Sequence, residues 1–348
     1  MSEIAAFFRD TAERVLADTV SDRDINAAEE RVLPAALFGS FEETGVLSML
    51  ADEDHGGVGA SLADAVIILR VAGAAAAPGP LLETLLGRDL LARAGMTAPE
   101  GALTLAFADG EVGPKPGETV WSSPPTFHDV PWGGLTEGFL VVAPLAGGGL
   151  RLILSRPGDW TVEPGADAAG EPRDRLSAAS VSVQTADLPD SSFDEAFRAA
   201  AMLRAGQILG ALEWTFQRSA EYVMERKQFG KELGKFQVVQ QMLAEMADNT
   251  LASAVITDAA AAGPSRTLVA SARSRLADAA DVAITVSHQV HGALGFSREY
   301  SLNHRTRRLM AWRDDYGSVP FWRRALAADF IDLSRDAFWP AVSDAGLS

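Results

Sequence analysis

Three textures follow one another along this chain, and their order limits the fold more than any single residue does. Up to about residue 100, apolar side chains recur at helical spacing. From about 102 to 190, short apolar runs alternate with Gly, Pro and Asp. From Ser192 onward the helical spacing returns and persists. Helix, then strand, then helix is an uncommon order. It predicts an α+β protein in three parts: an all-α N-terminal domain over 1–100, a small antiparallel β domain over 101–190, and a C-terminal domain over 191–348 built as a four-helix bundle.

Local signals fill in this outline. Residues 35–44 are amphipathic, and Gly45 can close them in the left-handed region. Residues 52–59 are turn-rich, with Gly56, Gly57 and Gly59. Helical spacing resumes over 61–77 until Pro78-Gly79-Pro80 stops it, and a further helix over 81–94 ends at Gly95. Strands are expected at 103–106, 139–142, 150–154 and 181–183. In the last part, Ile208, Leu212, Thr215, Phe216, Ser219, Tyr222 and Val223 form one apolar stripe. Phe236, Val239, Leu243, Met246 and Thr250 form another. A long helix over about 266–290 is broken by Gly292 and Gly295, and a basic helix follows over 301–312.

The chain has 348 residues, enough for two or three domains and a large core. It has no cysteine, which removes disulfides, thiolate nucleophiles and Cys-ligated metals; no metal site is expected. No run is long and apolar enough to cross a bilayer. Met1-Ser2-Glu3-Ile4 lacks the regions of a signal peptide, so a cytoplasmic protein is the expectation. The formal charge of −17 repels nucleic acid and anionic lipid. Two basic clusters stand against it: Arg226, Lys227, Lys231 and Lys235, then Arg298, Arg305, Arg307, Arg308 and Arg313. Such clusters are either solvated, salt-bridged helix faces or a receptor for a polyanion such as a dinucleotide pyrophosphate.

The residues around the first cluster favour a ligand. Arg226 falls near a predicted helix end that Gly230 closes, Phe229 lies beside the turn, and Gln237 opens the next helix. A guanidinium and an amide held on two helix ends can bind a pyrophosphate and a neighbouring polar edge. Near the second cluster, Gln289 supplies an amide, and Gly292 and Gly295 let backbone approach a ligand closely.

Tyr222, Arg226, Phe229, Gly230 and Gln237, followed by Leu243-Ala244-Glu245-Met246, resemble the acyl-CoA dehydrogenase family over about 25 positions in one register. Gln289, Gly292, Gly295 and Phe296 resemble the family's Gln-x-x-Gly-Gly-x-Gly-Phe, with Ala293 in place of its second glycine. Residues 44–47 and Glu53-Asp54-His55-Gly56-Gly57-Val58-Gly59 resemble its N-terminal segment. The resemblance implies FAD as cofactor, an acyl-CoA thioester as substrate and α,β-desaturation as reaction. Arg226, Phe229 and Gln237 would hold one part of the dinucleotide. Gln289, Gly292, Ala293 and Gly295 would reach toward the flavin of a neighbouring subunit.

The chain departs from the family in two places. Residues 105–120 carry neither Thr-Glu-Pro-x-x-Gly-Ser-Asp nor Trp-Ile-Thr, and Trp121-Ser122-Ser123 only echoes the latter. The family's reaction also needs a carboxylate to take the Cα proton. At the two positions where the family carries it, this chain has Tyr316, before Gly317-Ser318, and Ala200. A tyrosine of ordinary pKa is about one part in a thousand ionised at pH 7. Asp315 is the adjacent candidate, shorter than glutamate and, on a helix, turned by about 100°.

Some branches of the family pair two different chains as α2β2, so the resemblance makes the leading expectation the non-catalytic chain of such a heteromer, beside a homologous chain that carries the base. Self-assembly as a tetramer is the other possibility for partners. Two alternatives stay open: a self-sufficient FAD-dependent acyl-CoA dehydrogenase or oxidase using Asp315, and a non-enzymatic helical interaction subunit.

Overall fold

The computed structural model describes residues 2–344. Five helices come first: α1 (Glu3–Thr19), α2 (Asp22–Glu29), α3 (Ala35–Glu43), α4 (Leu62–Ala74) and α5 (Leu81–Arg93). Their ends follow local chemistry. Ser2 caps α1 through its side chain, and Ser21 with Asp24 forms a capping box on α2. Gly45 stands at φ +73° just beyond α3, as expected, and Gly95 at φ +64° just beyond α5.

Nine strands follow: β1 (Leu103–Phe107), β2 (Val120–Ser122), β3 (Phe127–Pro131), β4 (Gly138–Pro144), β5 (Leu150–Ser155), β6 (Thr161–Glu163), β7 (Arg173–Ser177), β8 (Ser180–Ser182) and β9 (Gln184–Leu188). They form a sheet ordered β1-β4-β5-β9, a sheet ordered β3-β7-β6 and the pair β2-β8. Every ladder among them is antiparallel except β1 with β4. Residues 108–137, which contain β2 and β3, carry the chain back to the starting end before β4 begins, so that pair runs parallel.

Strand β4 reads as an uninterrupted apolar run because Phe139–Ala143 are all buried. Four aromatic rings fill the core beside it, with centroids 5.3 Å apart for Phe127–Phe139 and Phe139–Trp160, and 6.2 Å for Trp121–Trp160, all edge-on. Arg31, at φ +68°, pairs both its terminal nitrogens with the fully buried Asp174 (2.8 and 3.0 Å). The Gly134 amide donates to the same carboxylate (2.8 Å). That carboxylate is thus satisfied where it would otherwise be costly to bury.

The rest of the chain is helical: α6 (Phe193–Glu225), the short hairpin β10 (Lys227–Gln228) and β11 (Lys231–Glu232), then α7 (Gln237–Ala262), α8 (Arg266–His291), α9 (Ser301–Trp312), α10 (Val319–Phe330) and α11 (Arg335–Asp344). The described residues divide into two compact units, one of 2–65 with 77–200, the other of 66–76 with 201–344.

In the second unit α8 packs along α7, α9 and α10. There the backbones of α4 and α6 touch. A Cβ on Gly206 would overlap the Val66 carbonyl oxygen, one on Gly210 the Arg70 carbonyl oxygen, and one on Gly73 the Gln207 carbonyl oxygen. Glycine at these three positions is a requirement of the close approach. Arg70 pairs with Glu213 across the same two helices.

Candidate functional site

Helix α6 ends at Glu225, one residue before Arg226, and not at Gly230. The reason is the hairpin that follows. Phe229 (φ +51°) and Gly230 (φ +80°) form its two-residue turn, both in the left-handed region that such a turn requires. The chain then enters α7 directly at Gln237. Helix α8 ends at His291, and Gly292 breaks it with φ +60° and ψ −141°, a combination open essentially to glycine alone.

These two helix ends meet. A cavity of about 540 Å³ lies between them, lined among others by Tyr222, Arg226, Val238, Gln289, Gly292 and Ala293. Four of the seven expected ligand residues (Arg226, Gln289, Gly292 and Ala293) thus share one groove. The other three do not line it. Phe229 stands at the hairpin tip, 91% exposed, Gln237 is exposed at the start of α7, and Gly295 is buried against His288 and Leu302.

The polar groups of the groove are available. The side chains of Arg226 and Gln289 have no hydrogen-bond or ion-pair partner among the described residues, and both are exposed. A Cβ built on Gly292 would meet nothing within 4 Å, so its backbone is open to the groove. Of the neighbouring lysines, Lys231 sits 4.2 Å from the centre of the Phe236 ring and Lys235 pairs with Glu232 at 2.6 Å. A free guanidinium, a free amide and an uncovered backbone suit a phosphate-bearing ligand with a polar edge.

His291 also lines the groove and was not singled out from the sequence. Its ring stacks on Tyr222, with centroids 4.2 Å apart and planes inclined by 25°. Burial holds the imidazoles of both His291 and His288 below the ordinary histidine value; for His291, Arg218 and His288 add to that effect.

The second basic cluster is built differently. Arg308 is wholly buried and donates to the His304 carbonyl (3.3 Å). Arg305 is buried, donates twice to the Ala74 carbonyl at the end of α4 (3.1 Å each), and covers the Trp214 ring at 4.2 Å. It caps the C-terminus of that helix. Arg313 is paired with Asp281 and Asp314. These three arginines bind backbone and carboxylates of their own unit, so they do not form an open polyanion receptor.

Residues 313–316 form a turn beyond α9, not a helix, and Tyr316 has φ +51°. Two arginines hold this turn. Arg204 of α6 pairs with the Asp315 carboxylate (3.2 Å), with side chains 5% and 15% exposed. Its guanidinium lies 5.2 Å from the Trp312 ring centre and 5.9 Å from that of Tyr316, and it donates to Gln207 (2.5 Å). Arg273 donates to the carbonyls of Trp312, Arg313 and Asp315 (3.3, 3.1 and 2.6 Å). Full burial pushes the Arg273 guanidinium down to about 10, still charged at neutral pH. Ala200, one helical turn before Arg204, is buried and carries no ionisable group. Arg204 was legible as the lone cation in the apolar stretch 199–206.

In the β region, Trp121 is a core residue, 6% exposed among Phe127 and Trp160. It does not face a ligand. Among the described residues no helix is long and apolar enough to cross a membrane, and no group of three or more His, Cys, Asp or Glu could hold a metal.

Comparison with known proteins agrees with this architecture. Residues 2–111 match the acyl-CoA dehydrogenase N-terminal domain, and residues 192–314 match the acyl-CoA dehydrogenase C-terminal domain. Acyl-CoA dehydrogenase IpdE2 of Mycobacterium tuberculosis is 28% identical over 75% of this chain and 76% of its own length. IpdE2 of Mycolicibacterium smegmatis is 26% identical over 87% and 91%. The fold is that of the ChsE4-ChsE5 complex from Mycobacterium tuberculosis, with a TM-score of 0.80 at 22% identity, covering 96% of this chain and 99% of that one. It is equally that of the steroid ACAD Tcur3481-Tcur3483, with a TM-score of 0.80 at 22% identity, covering 93% and 96%. The FAD complex of PigA has a TM-score of 0.77 at 14% identity, covering 94% and 97%.

Proposed function

Because the chain belongs to the acyl-CoA dehydrogenase family, we propose that it is the base-lacking subunit of an FAD-dependent acyl-CoA dehydrogenase heteromer. The observation that carries this reading is the Arg204–Asp315 pair. Asp315 is the carboxylate adjacent to the position where the family places its base, and it is tied to a buried guanidinium inside a turn whose carbonyls are tied to Arg273. To take a proton from substrate it would have to give up that pair. Tyr316 and Ala200 offer no carboxylate in its place.

The groove between the ends of α6 and α8 supports the other half of the reading. The Arg226 and Gln289 side chains have no partners among the described residues, and the Gly292 backbone is uncovered. These residues would hold the dinucleotide, Arg226 on phosphate and Gln289 on a polar edge, with Gly292 and Ala293 giving it backbone clearance. FAD bound there would supply the two-electron acceptor of α,β-desaturation. Phe229 and Gln237, which lie outside the groove, are proposed to meet the cofactor only where a partner chain closes over them. The ChsE4-ChsE5 complex makes a homologous second chain the first partner to test, and the steroid ACAD makes a steroid-derived CoA thioester the first substrate class.

The test is co-purification. Expressed alone, the chain should carry little flavin colour and no desaturase activity. Co-expressed with a homologous chain that has glutamate at the vacant position, it should yield a yellow, active heteromer. Asp315→Asn in that heteromer should leave flavin reduction by substrate within about twofold. A fully flavinated, active homotetramer of this chain alone would overturn the proposal, as would loss of flavin reduction in an Asp315→Asn heteromer that keeps its assembly, flavin content and thermal stability.

A further inference from the structure

The ring of His291 stands between two of the chain's three tyrosines. Tyr222 stacks on it from α6, and Tyr300, just before α9, lies 5.5 Å away with its plane inclined by 49°. The Tyr300 hydroxyl is tied back to α6, because the Arg218 Nε donates to it (2.9 Å). Arg218 and Tyr222 are one helical turn apart, so α6, His291, Tyr300 and Arg218 form a closed loop of contacts. The imidazole cannot turn freely within it. Its Nδ1–H donates to the Ser287 carbonyl (2.8 Å), which leaves a lone pair on Nε2. That Nε2 is buried and has no partner among the described residues. The residue as a whole is 4% exposed.

From this geometry we infer that His291 is a positioning residue: an uncharged, flat spacer that sets the end of α6, with Arg226, against the end of α8, with Gln289 and Gly292. The inference deepens the reading of the groove given above and rests on it for the identity of the ligand. Arg226 lies one turn beyond Tyr222, and the Arg226 amide closes on the Tyr222 carbonyl (2.9 Å). The Leu233 amide then closes on the Arg226 carbonyl (2.9 Å), so the hairpin inherits its place from Tyr222. A proton on His291 would convert the spacer into a cation. It would then face Arg218 of α6 and His288 of α8, with the Tyr222 and Tyr300 rings beside it and Glu221 and Glu225 already committed to Arg218. Burial and these neighbours keep the ring neutral at pH 7.

The first measurement needs no ligand. Amide hydrogen exchange at Arg226 and Leu233, corrected for intrinsic rates, is compared in the wild-type chain, His291→Phe and His291→Ala at pH 7.5 and 5.5. Expected is exchange at least 10-fold faster in His291→Ala at both pH values, and in the wild type at pH 5.5 only. His291→Phe keeps a flat uncharged ring and should be protected at both pH values. His288 still titrates in that variant, so a pH effect surviving in it would overturn the assignment to His291. Equal protection in His291→Ala and wild type would overturn it outright.

The second measurement is ADP binding by calorimetry. A positioning role predicts at least fivefold weaker binding at pH 5.5 than at 7.5 in the wild type, and no such change in His291→Phe. Stronger binding at pH 5.5, lost in His291→Phe, would make the imidazolium a phosphate contact and overturn the inference. If the wild type binds no ADP at pH 7.5, the dinucleotide reading of the groove fails, and hydrogen exchange decides the role of His291 by itself.

Discussion

Arg226 and Arg308 belong to two arginine-bearing segments of one helical unit, and they are opposites. Arg226 is exposed beside a cavity, and its side chain has no partner among the described residues. Arg308 is entirely out of solvent and donates to a carbonyl of its own helix, that of His304. The 313–317 turn extends the second pattern, with Arg204 on a carboxylate and Arg273 on three carbonyls. A guanidinium can recognise a ligand only if its donors are left over after folding. By that criterion the groove is the proposed receptive region, and the turn is a structural joint.

The contrast can be broken at several points. The largest effect is expected at the joint. Arg204→Met removes the guanidinium paired with Asp315 in a mostly buried setting, and a buried pair broken this way costs about 3–5 kcal/mol. Urea denaturation should show that loss. A change below about 1 kcal/mol would mean that the pair does not hold the turn. In the groove, Arg226→Gln should do the reverse. Stability should stay within about 0.5 kcal/mol, while affinity for ADP falls roughly 10- to 100-fold, the scale of a charge-assisted hydrogen bond. Unchanged affinity would remove Arg226 from the site.

Next in size is the effect of pH on stability. His288 and His291 have folded values below the unfolded 6.5, so the unfolded chain takes up protons first as the pH drops. Stability should be whole above about pH 6.5 and fall progressively below it. A thermal-denaturation series from pH 7.5 to 5 checks this, and His291→Phe should flatten part of the slope. The smallest effect belongs to the exposed hairpin. Phe229→Ser should change unfolding free energy by less than about 0.5 kcal/mol, and a larger loss would mean that the ring is packed.

Much of the fold was legible because its signals are local. Gly45 and Gly95 closed their helices where expected, and the basic stretch 301–312 is α9 from end to end. The pairing of β1 with β4 was not legible, because parallel register is set by a crossover and not by residues at the strands themselves. Of the candidate site, Arg226, Gln289, Gly292 and Ala293 were picked out through the family resemblance, and they lie on two helix ends that share one cavity. His291 was passed over because a histidine in an apolar helix end has no signature until its neighbours are known. The second basic cluster misled for the same reason. A sequence shows five arginines close together but not the groups, such as the Ala74 carbonyl and the Asp281 carboxylate, that occupy three of them.

The contact between α4 and α6 has its own consequence. At Gly73, Gly206 and Gly210 even a methyl group collides with main-chain oxygen, and no rotamer change can relieve that. In a saturation library across these two helices, those three codons should return glycine alone among soluble variants. Positions on the outer faces should tolerate wide replacement.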